Sequence, residues 1–372
     1  MQRAAQRGTG HRPITVALDA MGGDNAPAAI VRGALSAVRD VDVDVILVGR
    51  GREIRGLLPA AQRNLRIQEA SEAIAMDAPP TAVRRMRDSS IMVGLGLLAD
   101  GEADAFLSFG NTGAVMAGSL FSLGRIPGVA RPALGALFRN GRGTTSLLLD
   151  VGANVEARPQ YLCQFATMGQ AYVERVLRHR NPSVGLLNVG EEELKGTPLH
   201  QETYRLLERQ EANFVGNIEG NQMIAGAADV IVSDGFTGNV AVKLTEGVAE
   251  QLFGELKRGI QANMLHMAGA WLMRGAFQSI RAHWDYAKVG SAPLFGIDGA
   301  VLVGHGRANA EAVTSGIRSA RSVVEAGVVD AIRDAVAGTA PVDDDDMTDA
   351  PQSPRRDGRD GQVSDTWRYE RG

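Results

Sequence analysis

Two glycine-containing loops, at residues 110–113 and 234–239, hold residue types that can bind an anion. Each follows a short apolar segment that predicts a strand and precedes a segment that predicts a helix. In such a unit, glycine lets the backbone approach a ligand, and the N–H groups of the first helical turn point towards it. Two such loops favour a small anionic substrate, with phosphate as the first hypothesis, although an ordinary turn is the more common explanation of one such loop alone. The candidate binding residues of these loops are Asn111, Thr112, Gly113, Thr237, Gly238 and Asn239.

Three predicted strands end in an aspartate: Asp19, Asp150 and Asp234. Ligands of open α/β sheets bind beyond the carboxyl ends of the strands, so we expect the turns after these aspartates and the turns at 111–113 and 304–306 to share one rim. Carboxylates repel phosphate, and their expected role is to hold loop N–H groups and cations in place. Helix capping and Mg²⁺ binding remain open as alternatives. The turns after the first two aspartates also supply the candidates Gly22, Gly23, Asp24 and Asn154.

Three basic side chains are placed to neutralise or protonate a substrate. Lys195 lies in a polar loop just beyond a predicted strand, and Lys243 lies one helical turn after Asn239. His305 stands between two glycines at the end of the last predicted strand, where an imidazole can bind phosphate or donate a proton. A solvated surface position is the alternative for Lys195.

Several kinds of chemistry lack their sequence motif. No Gly-x-Gly-x-x-Gly follows the first strand, and neither a P-loop ending in Lys-Ser/Thr nor a Gly-x-Ser-x-Gly occurs. Cys163, the single cysteine, lies among apolar residues in a predicted helix, which excludes an internal disulfide and a cysteine-rich metal site. We therefore expect no nucleotide cofactor, no cysteine-rich metal site and no serine or cysteine nucleophile.

The elements that carry these residues alternate between strand and helix, which predicts parallel βαβ units in a doubly wound α/β sheet with helices on both faces. A strand is predicted before each of the turns described above, and Gly299–Val303 is predicted as the last strand. Long helices are expected at 81–99, 240–263 and 309–336. No internal repeat is evident.

Composition bounds the class of protein. The chain has 372 residues, 44% of them hydrophobic, and a net charge of −4, which fits a globular protein without a nucleic-acid footprint. No apolar run reaches the length of a membrane span, and a soluble intracellular protein is the default expectation. We divide the chain into a disordered basic arm at 1–12, a single domain at 13–336 and a disordered charged tail at 337–372.

An apolar segment at Met264–Phe277 is predicted to form the tip of a protruding helical hairpin, at about residues 240–287. Lys257, Arg258, Arg281 and Lys288 flank it. An apolar tip with basic flanks is typical of a segment that lies in an anionic membrane interface. The alternative is a contact between two subunits.

An ordered set of motifs resembles one family. The motifs are Asp-Ala-Met-Gly-Gly-Asp at 19–24, Gly-Asn-Thr-Gly-Ala at 110–114, Leu-Leu-Asp-Val-Gly-Ala-Asn at 148–154, Leu-Leu-Asn-Val-Gly at 186–190, Lys-Gly at 195–196, Ser-Asp-Gly-Phe-Thr-Gly-Asn-Val at 233–240, Leu-Phe-Gly at 294–296 and His-Gly at 305–306. Together they resemble the bacterial phosphate acyltransferases, the PlsX family of phospholipid synthesis, over about residues 14–331. Phe109 departs from the smaller residue more usual before Gly-Asn-Thr-Gly and is expected to narrow the acyl entrance; Gly290-Ser291 replaces a more usual Gly-Gly.

This resemblance implies an activity and partners. A fatty acyl group would move from acyl carrier protein to inorganic phosphate, without nucleotide or metal, and the acyl phosphate would pass to a membrane-bound glycerol-phosphate acyltransferase. The implied fold is like phosphotransacetylase and isopropylmalate dehydrogenase, and the implied state is a homodimer. The implied location is the cytoplasm, at the inner face of the cell membrane.

The expected mechanism is direct attack by bound phosphate on the thioester carbonyl. The turns at Gly22-Gly23, 111–113 and 237–239 would cradle phosphate, and Lys195, Asn239 and loop N–H groups would stabilise the oxyanion. His305 would protonate the leaving thiolate.

Two rival hypotheses are a metal- and NAD-dependent dehydrogenase on the related fold and a non-enzymatic membrane scaffold for lipid synthesis.

Overall fold

The computed structural model describes residues 12–59, 62–210, 213–277 and 290–338. They form one eleven-stranded sheet with helices packed against it, in the strand order β3-β2-β1-β4-β11-β10-β5-β6-β9-β7-β8. The strands are β1 Ile14–Asp19, β2 Val43–Gly49, β3 Leu65–Glu69, β4 Ala105–Ser108, β5 Ala133–Arg139, β6 Thr145–Leu149, β7 Val184–Leu187, β8 Phe214–Ile218, β9 Val230–Val232, β10 Ala292–Phe295 and β11 Ala300–Val303. Most neighbours pair in parallel, which confirms the predicted α/β class.

Helices alternate with these strands. They are α1 Ala28–Asp40, α2 Gly51–Leu57, a 3-10 helix at Pro80–Arg84, α3 Ser90–Ala99, α4 Thr112–Ser122, α5 Pro159–Arg175, α6 Pro198–Gln210, α7 Gly220–Ala225, α8 Gly235–Gln261, α9 Met264–Leu272, α10 Ala310–Glu325 and α11 Val328–Ala337. The basic arm up to residue 11, the tail from 339 and residues 278–289, predicted as part of the hairpin, lie outside the described residues.

Helices cover both faces of the sheet, as the contacts of alternate residues in strand β1 show. Val16 and Leu18 of β1 pack with residues of α1 and α10, such as Ile30 and Ile317. Ala17 lies in a second cluster with residues of α3 and α4. Since successive side chains of a strand point to opposite faces, these helices lie on opposite sides of the sheet, as the doubly wound prediction requires.

The central strands reverse the direction of the sheet. β10 pairs antiparallel with both β11 and β5, and β5 pairs antiparallel with β6. Three antiparallel pairings in succession leave the block β3-β2-β1-β4-β11 running opposite to the block β6-β9-β7-β8. The prediction of a single rim is therefore wrong: the carboxyl ends of the two blocks lie at opposite edges of the sheet.

Several predicted elements have different boundaries. Helix α8 begins at Gly235, not at Asn239, because the Asp234 side chain caps it by accepting from Thr237 N. The predicted helix at 81–99 is a 3-10 turn followed by α3, which starts at the Ser89 cap. The predicted last helix is two helices, separated by left-handed Gly327. Strand β10 and helix α7 were not predicted.

The described part of the hairpin is exposed. Helix α8 has 27 residues, about 40 Å at 1.5 Å per residue, and α9 follows with no buried residue. Trp271, Leu272 and Met264 of α9 are all strongly exposed. Within the part of the chain that the structure describes, no helix is long and apolar enough to cross a membrane.

Candidate active site

A cleft of about 760 Å³ connects the carboxyl ends of the two blocks. It crosses one face of the sheet over Ala292 and Leu294 of β10 and Leu134 and Ala136 of β5. Because β10 has four residues, the two edges are separated here by only about 13 Å of strand. Its apolar lining includes Met76, Met116, Leu134, Ala136, Val242, Leu294 and Val303, and its polar lining includes Asp24, Thr112, Asn239, Lys243, Glu246, Ser291, His305, Arg307 and Asn309.

On the side of the first block, Asp19 holds the loops from beneath. Its Oδ1 accepts from Met21 N at 3.0 Å, and its Oδ2 accepts from the Ser108 hydroxyl at 2.6 Å. The Ser108 Oγ in turn accepts from Gly110 N. Burial raises the pKa of the Asp19 carboxyl above its usual value, against the lowering effect of the Ser108 hydrogen bond. Asp19 is fully buried and does not line the cleft; it joins the turns after β1 and β4.

Gly22 and Gly23 allow these turns to meet. A Cβ at Gly22 would lie 2.7 Å from Gly110 N, and one at Gly23 would lie 2.8 Å from Gly306 O. Gly23 also has φ +96°, which favours glycine. The predicted pair thus lets backbone segments approach each other and is not part of the cleft lining.

The start of α4 faces the cleft. Asn111 is the cap residue: its Oδ1 accepts from Ala114 N at 2.9 Å, and its Nδ2 donates to the carbonyls of Ala75, Met76 and Ala78. Thr112 and Gly113 line the cleft, and their N–H groups have no acceptor among the described residues. These are the orphan donors that an anion at a helix N-terminus would satisfy.

The loop after β11 forms the adjacent wall. Asp24 N donates to Gly306 O at 2.8 Å, and Asn25 Nδ2 donates to Ala308 O at 3.1 Å. His305 Nδ1 accepts a hydrogen bond from Arg307 N at 3.2 Å, which leaves Nε2 as the ring nitrogen that carries an N–H. His305 is exposed in the cleft, where that N–H is able to serve as a donor.

Phe109 supports this loop from below. Its ring is completely buried, and a Cβ at Gly304 would lie 2.1 Å from two ring carbons. Phe109 does not line the cleft. The prediction that it narrows the acyl entrance is wrong, because the missing side chain at Gly304 gives the ring a place in the core.

On the side of the second block, Asp150 organises the turn after β6. Its Oδ1 accepts from Leu134 N, Gly152 N and Ala153 N, and its Oδ2 accepts from Asn154 N and Nδ2. Burial raises the pKa of Asp150 in spite of these donors. Its carboxylate, like that of Asp19, is completely buried and holds N–H groups, as predicted from the sequence.

Helix α8 packs tightly on this turn. A Cβ at Gly238 would lie 1.9 Å from Asp150 O, so only glycine fits there. Asn239 lines the cleft and donates from Nδ2 to Val151 O at 3.0 Å. This hydrogen bond joins α8 to the turn after β6 and holds the Asn239 side chain at the wall of the cleft.

Most backbone N–H groups at the start of α8 already donate hydrogen bonds within the protein. Gly235 N donates to Asn154 O, while Thr237 N and Gly238 N donate to the side chain and carbonyl of Asp234. Asp234, Thr237, Gly238 and Asn154 do not line the cleft. The anion-binding loop predicted at 237–239 therefore differs from the one at 111–113, where Thr112 and Gly113 line the cleft and their N–H groups have no acceptor among the described residues.

Lys195 is not part of the cleft lining. It lies beyond β7, with Nζ 3.8 Å from Glu192 Oε2 and about half of its side chain exposed. Asn188 Nδ2 donates to its carbonyl at 3.2 Å. The sequence motif placed Lys195 near the chemistry, but the structure places it in a separate loop of the second block.

The basic side chains that line the cleft are Lys243, His305 and Arg307. Lys243 Nζ lies 3.6 Å from Glu246, and the Arg307 guanidinium lies 4.0 Å from Glu250, so both arginine and lysine have carboxylates nearby on α8. Arg307 was not among the predicted site residues. The sequence did contain a pattern that could have identified Arg307, because it is the next basic residue after His305 in a glycine-containing turn.

The cleft combines an apolar surface with the open N–H groups at the start of α4 and with basic side chains. Such a site can hold an apolar chain beside a small anion, with N–H groups and cations around the anion. Cys163 is buried in α5 and lies outside the lining. The residues that the structure describes contain no group of three or more His, Cys, Asp or Glu side chains arranged for a metal ion.

Comparisons with known proteins agree on one kind of protein. Residues 14–331 match the model of a family described as "Fatty acid synthesis protein". The chain is 47% identical over 324 residues to the phosphate acyltransferase of Desulfitobacterium hafniense, covering 86% of this chain and 97% of that protein. It is 43% identical over 317 residues to the phosphate acyltransferase of Dictyoglomus turgidum, covering 84% and 94%.

The fold is also found in solved structures. A phosphotransacetylase from Streptococcus pyogenes superposes with a TM-score of 0.55 at 16% identity, covering 84% of this chain and 94% of that chain. A branched-chain phosphotransacylase from Enterococcus faecalis gives a TM-score of 0.51 at 17% identity, covering 83% and 99%. At this identity the likeness concerns the fold alone.

Proposed function

The chain belongs to the PlsX family of phosphate acyltransferases, and from that membership we propose that it transfers a fatty acyl group from acyl carrier protein to inorganic phosphate. The products are acyl phosphate and the free carrier thiol. The observation that carries the proposal is the cleft, whose lining combines Thr112 and Gly113, with their open N–H groups, and an apolar surface. The N–H groups suit phosphate, and the apolar surface suits the acyl chain.

The proposed reaction is a single displacement through a tetrahedral intermediate. A phosphate oxygen attacks the thioester carbonyl carbon, a C–O bond forms, and the C–S bond breaks as the electron pair leaves with sulfur. Phosphate is already a nucleophile at neutral pH, so the protein's contribution is to position it and to screen its charge. The Thr112 and Gly113 N–H groups bind it, and Arg307 and Lys243 of the cleft lining are the candidate cations that screen its charge.

Two side chains complete this mechanism. The Asn239 amide at the cleft wall is the candidate donor to the oxyanion that develops on the carbonyl. His305 Nε2–H is the candidate hydrogen-bond donor to the sulfur of the leaving thiolate, and the proton that forms the free thiol is the one that hydrogen phosphate loses as it becomes acyl phosphate. Asp19 and Asp150 act only through the loops they hold. Lys195 has no role in this mechanism because it lies outside the cleft lining.

The test measures free carrier thiol and acyl phosphate together. Purified protein, acyl carrier protein charged with a fatty acid, and phosphate should release thiol at a rate that rises with phosphate, and hydroxylamine should trap acyl phosphate as a hydroxamate. His305→Ala should lower turnover, and Lys195→Ala is the control expected to retain it. Thiol release without phosphate, or reduction of NAD by the protein instead, would contradict the proposal.

The assembled state is a second part of the proposal: a homodimer formed through α8. Exposed apolar side chains recur every four residues along this helix, at Phe236, Val240, Leu244, Val248, Leu252 and Leu256. Residues at this spacing form a continuous ridge on a helix surface, which packs well against the same ridge of a second copy.

The tip of the hairpin supports a peripheral membrane contact on the cytoplasmic side. Met264, Leu265, Trp271 and Leu272 of α9 are exposed, and the Arg274 guanidinium lies 4.8 Å from the centre of the Trp271 ring. Exposed apolar residues with adjacent cations suit an anionic lipid interface. A contact there would release acyl phosphate close to a membrane-bound glycerol-phosphate acyltransferase, the proposed next enzyme.

A further inference from the structure

A basic surface lies beside the cleft and has no part in the mechanism above. Arg84, Arg85 and Arg87 are exposed, and no described carboxylate lies within ion-pair distance of any of them. The Arg87 guanidinium lies 5.4 Å from the centre of the Phe121 ring, which is itself 56% exposed. We call these residues, with the exposed Leu120, the arginine surface.

The arginine surface is fixed to the cleft by the segment that precedes it. Asn111 holds the carbonyls of Ala75, Met76 and Ala78, and a Cβ at Gly113 would lie 2.8 Å from Pro80 Cγ. Pro80 therefore touches the same helix start whose N–H groups face the cleft.

Two short distances connect the arginine surface with the cleft. The 3-10 helix rises about 2 Å per residue, which puts Arg84 about 8 Å along the chain axis from Pro80. Helix α4 runs from Thr112 in the cleft to Phe121, about 14 Å away. A macromolecule on this surface would thus sit within reach of the cleft if it carried its reactive group on an extended arm.

The charges nearby favour an acidic partner. Among residues 77–88 there are three arginines and two aspartates, and one of these, Asp88, already accepts from the Ser71 N–H and hydroxyl. The three guanidiniums lack such partners. Arginine and aromatic residues such as phenylalanine are also both enriched in protein–protein interfaces.

We propose that the arginine surface is where the acidic carrier protein docks while its acyl thioester enters the cleft past Met76. This inference rests on the proposed function, since it concerns the donor of that reaction. In the docked complex, carboxylates of the carrier form ion pairs with the arginines, and an apolar residue of the carrier packs on Phe121. The extended arm of the carrier then places the thioester at the start of α4, next to the bound phosphate.

The experiment compares two donors with the same acyl group. One is acyl carrier protein, and the other is a small thioester, acyl-pantetheine, which has no protein to dock. Arg84→Glu with Arg87→Glu should raise KM for the carrier at least about tenfold, because electrostatic complementarity becomes repulsion. KM for phosphate and activity on acyl-pantetheine should stay as in the unmodified protein. The salt dependence of the carrier reaction should also weaken.

Matched variants control for charge and folding. Arg139→Glu with Arg142→Glu changes two exposed arginines at the far end of β5 and should leave all three parameters unchanged. Phe121→Ser should raise KM for the carrier without changing the charge. Thermal unfolding of each variant verifies that it is folded.

Three results for the Arg84→Glu, Arg87→Glu variant would overturn the inference. KM for the carrier could be unchanged, or activity on acyl-pantetheine could fall as much as activity on the carrier. The variant could also lose binding to anionic vesicles, which would identify the arginine surface as a lipid-binding surface. If the unmodified protein shows no phosphate-dependent release from either donor, the proposed function has failed instead. The two failures are therefore distinguishable.

Discussion

Thr112 offers the sharpest test at the scale of single residues, because it is the first residue of α4 and its N–H faces the cleft. Proline is well tolerated at a first helical position and removes that N–H, and the preceding Asn111 already has the extended backbone that proline requires. We expect Thr112→Pro to raise KM for phosphate about tenfold or more, as loss of a hydrogen bond to a charged group would.

The control is Thr112→Val, which removes only the hydroxyl and keeps the N–H. Steady-state kinetics with varied phosphate distinguishes the two variants. If both have the same KM, the backbone donor does not bind phosphate.

Asp229 carries a prediction about acid. Burial raises its pKa, but the donors from Ser183 and His179 outweigh that effect and leave the pKa below the usual value of 3.8. A carboxylate with a depressed pKa stabilises the fold above the pKa of the unfolded chain, and that stability is lost as pH falls through the folded value. The difference in free energy of unfolding between the unmodified protein and Asp229→Asn should be full near pH 6 and shrink below about pH 4.

Urea denaturation across pH 3 to 7 measures this difference. Asp334→Asn, at an exposed helical position, is the control expected to show little difference at any pH. A difference that is constant with pH would mean that the Asp229 charge is not what stabilises the starts of β7 and β9.

At the scale of elements, helix α8 contains two glycines with opposite requirements. Gly238 has no room for a Cβ, because Asp150 O would lie 1.9 Å away, whereas Gly247 is exposed with nothing within 4 Å. Gly238→Ala must displace α8 from the turn after β6 and should destabilise the protein by about 2 kcal/mol or more. Gly247→Ala should stabilise it by about 0.5–1 kcal/mol, since alanine is the better helix former.

Thermal or urea unfolding of the two variants tests the pair. Gly238→Ala should also lower activity, because Asn239 moves with the helix. Equal stabilities would show that α8 can shift on the sheet without loss.

At the scale of the whole molecule, the ridge on α8 predicts the oligomeric state. Leu244→Glu with Val248→Glu places charges in the middle of the proposed contact and should give a monomer in analytical ultracentrifugation. Lys257→Glu, a charge change elsewhere on the same helix, is the control expected to remain a dimer. If the double variant stays dimeric, the ridge is not the interface.

The exposed tip of α9 predicts a separate membrane contact. Trp271→Glu with Leu272→Glu should abolish sedimentation with anionic vesicles and leave a dimer that is active on the carrier. Val189→Glu with Leu194→Glu removes two equally exposed apolar residues from another loop and should not affect sedimentation. A monomeric tip variant would instead assign α9 to the subunit contact.

The sequence by itself determined the class of fold, the family and the loops that carry the site. Alternating strands and helices follow from short-range periodicity, and aspartate or glycine at strand ends follows from local turn chemistry, so both are visible along the chain. The caps at Asn111 and Asp234 and the buried roles of Asp19 and Asp150 are local features of this kind.

The tertiary structure alone decided which loops meet. The three antiparallel pairings made by β10 and β5 reverse the sheet, and one cleft crosses these two strands and joins the opposite edges. That pairing joins residues far apart in sequence, so no local pattern reports it. For the same reason, three placements could be seen only in the folded structure. Arg307 lines the cleft, Lys195 lies outside it, and Phe109 is buried under Gly304. Each of these outcomes depends on space left by a distant segment, which residue type and spacing do not encode.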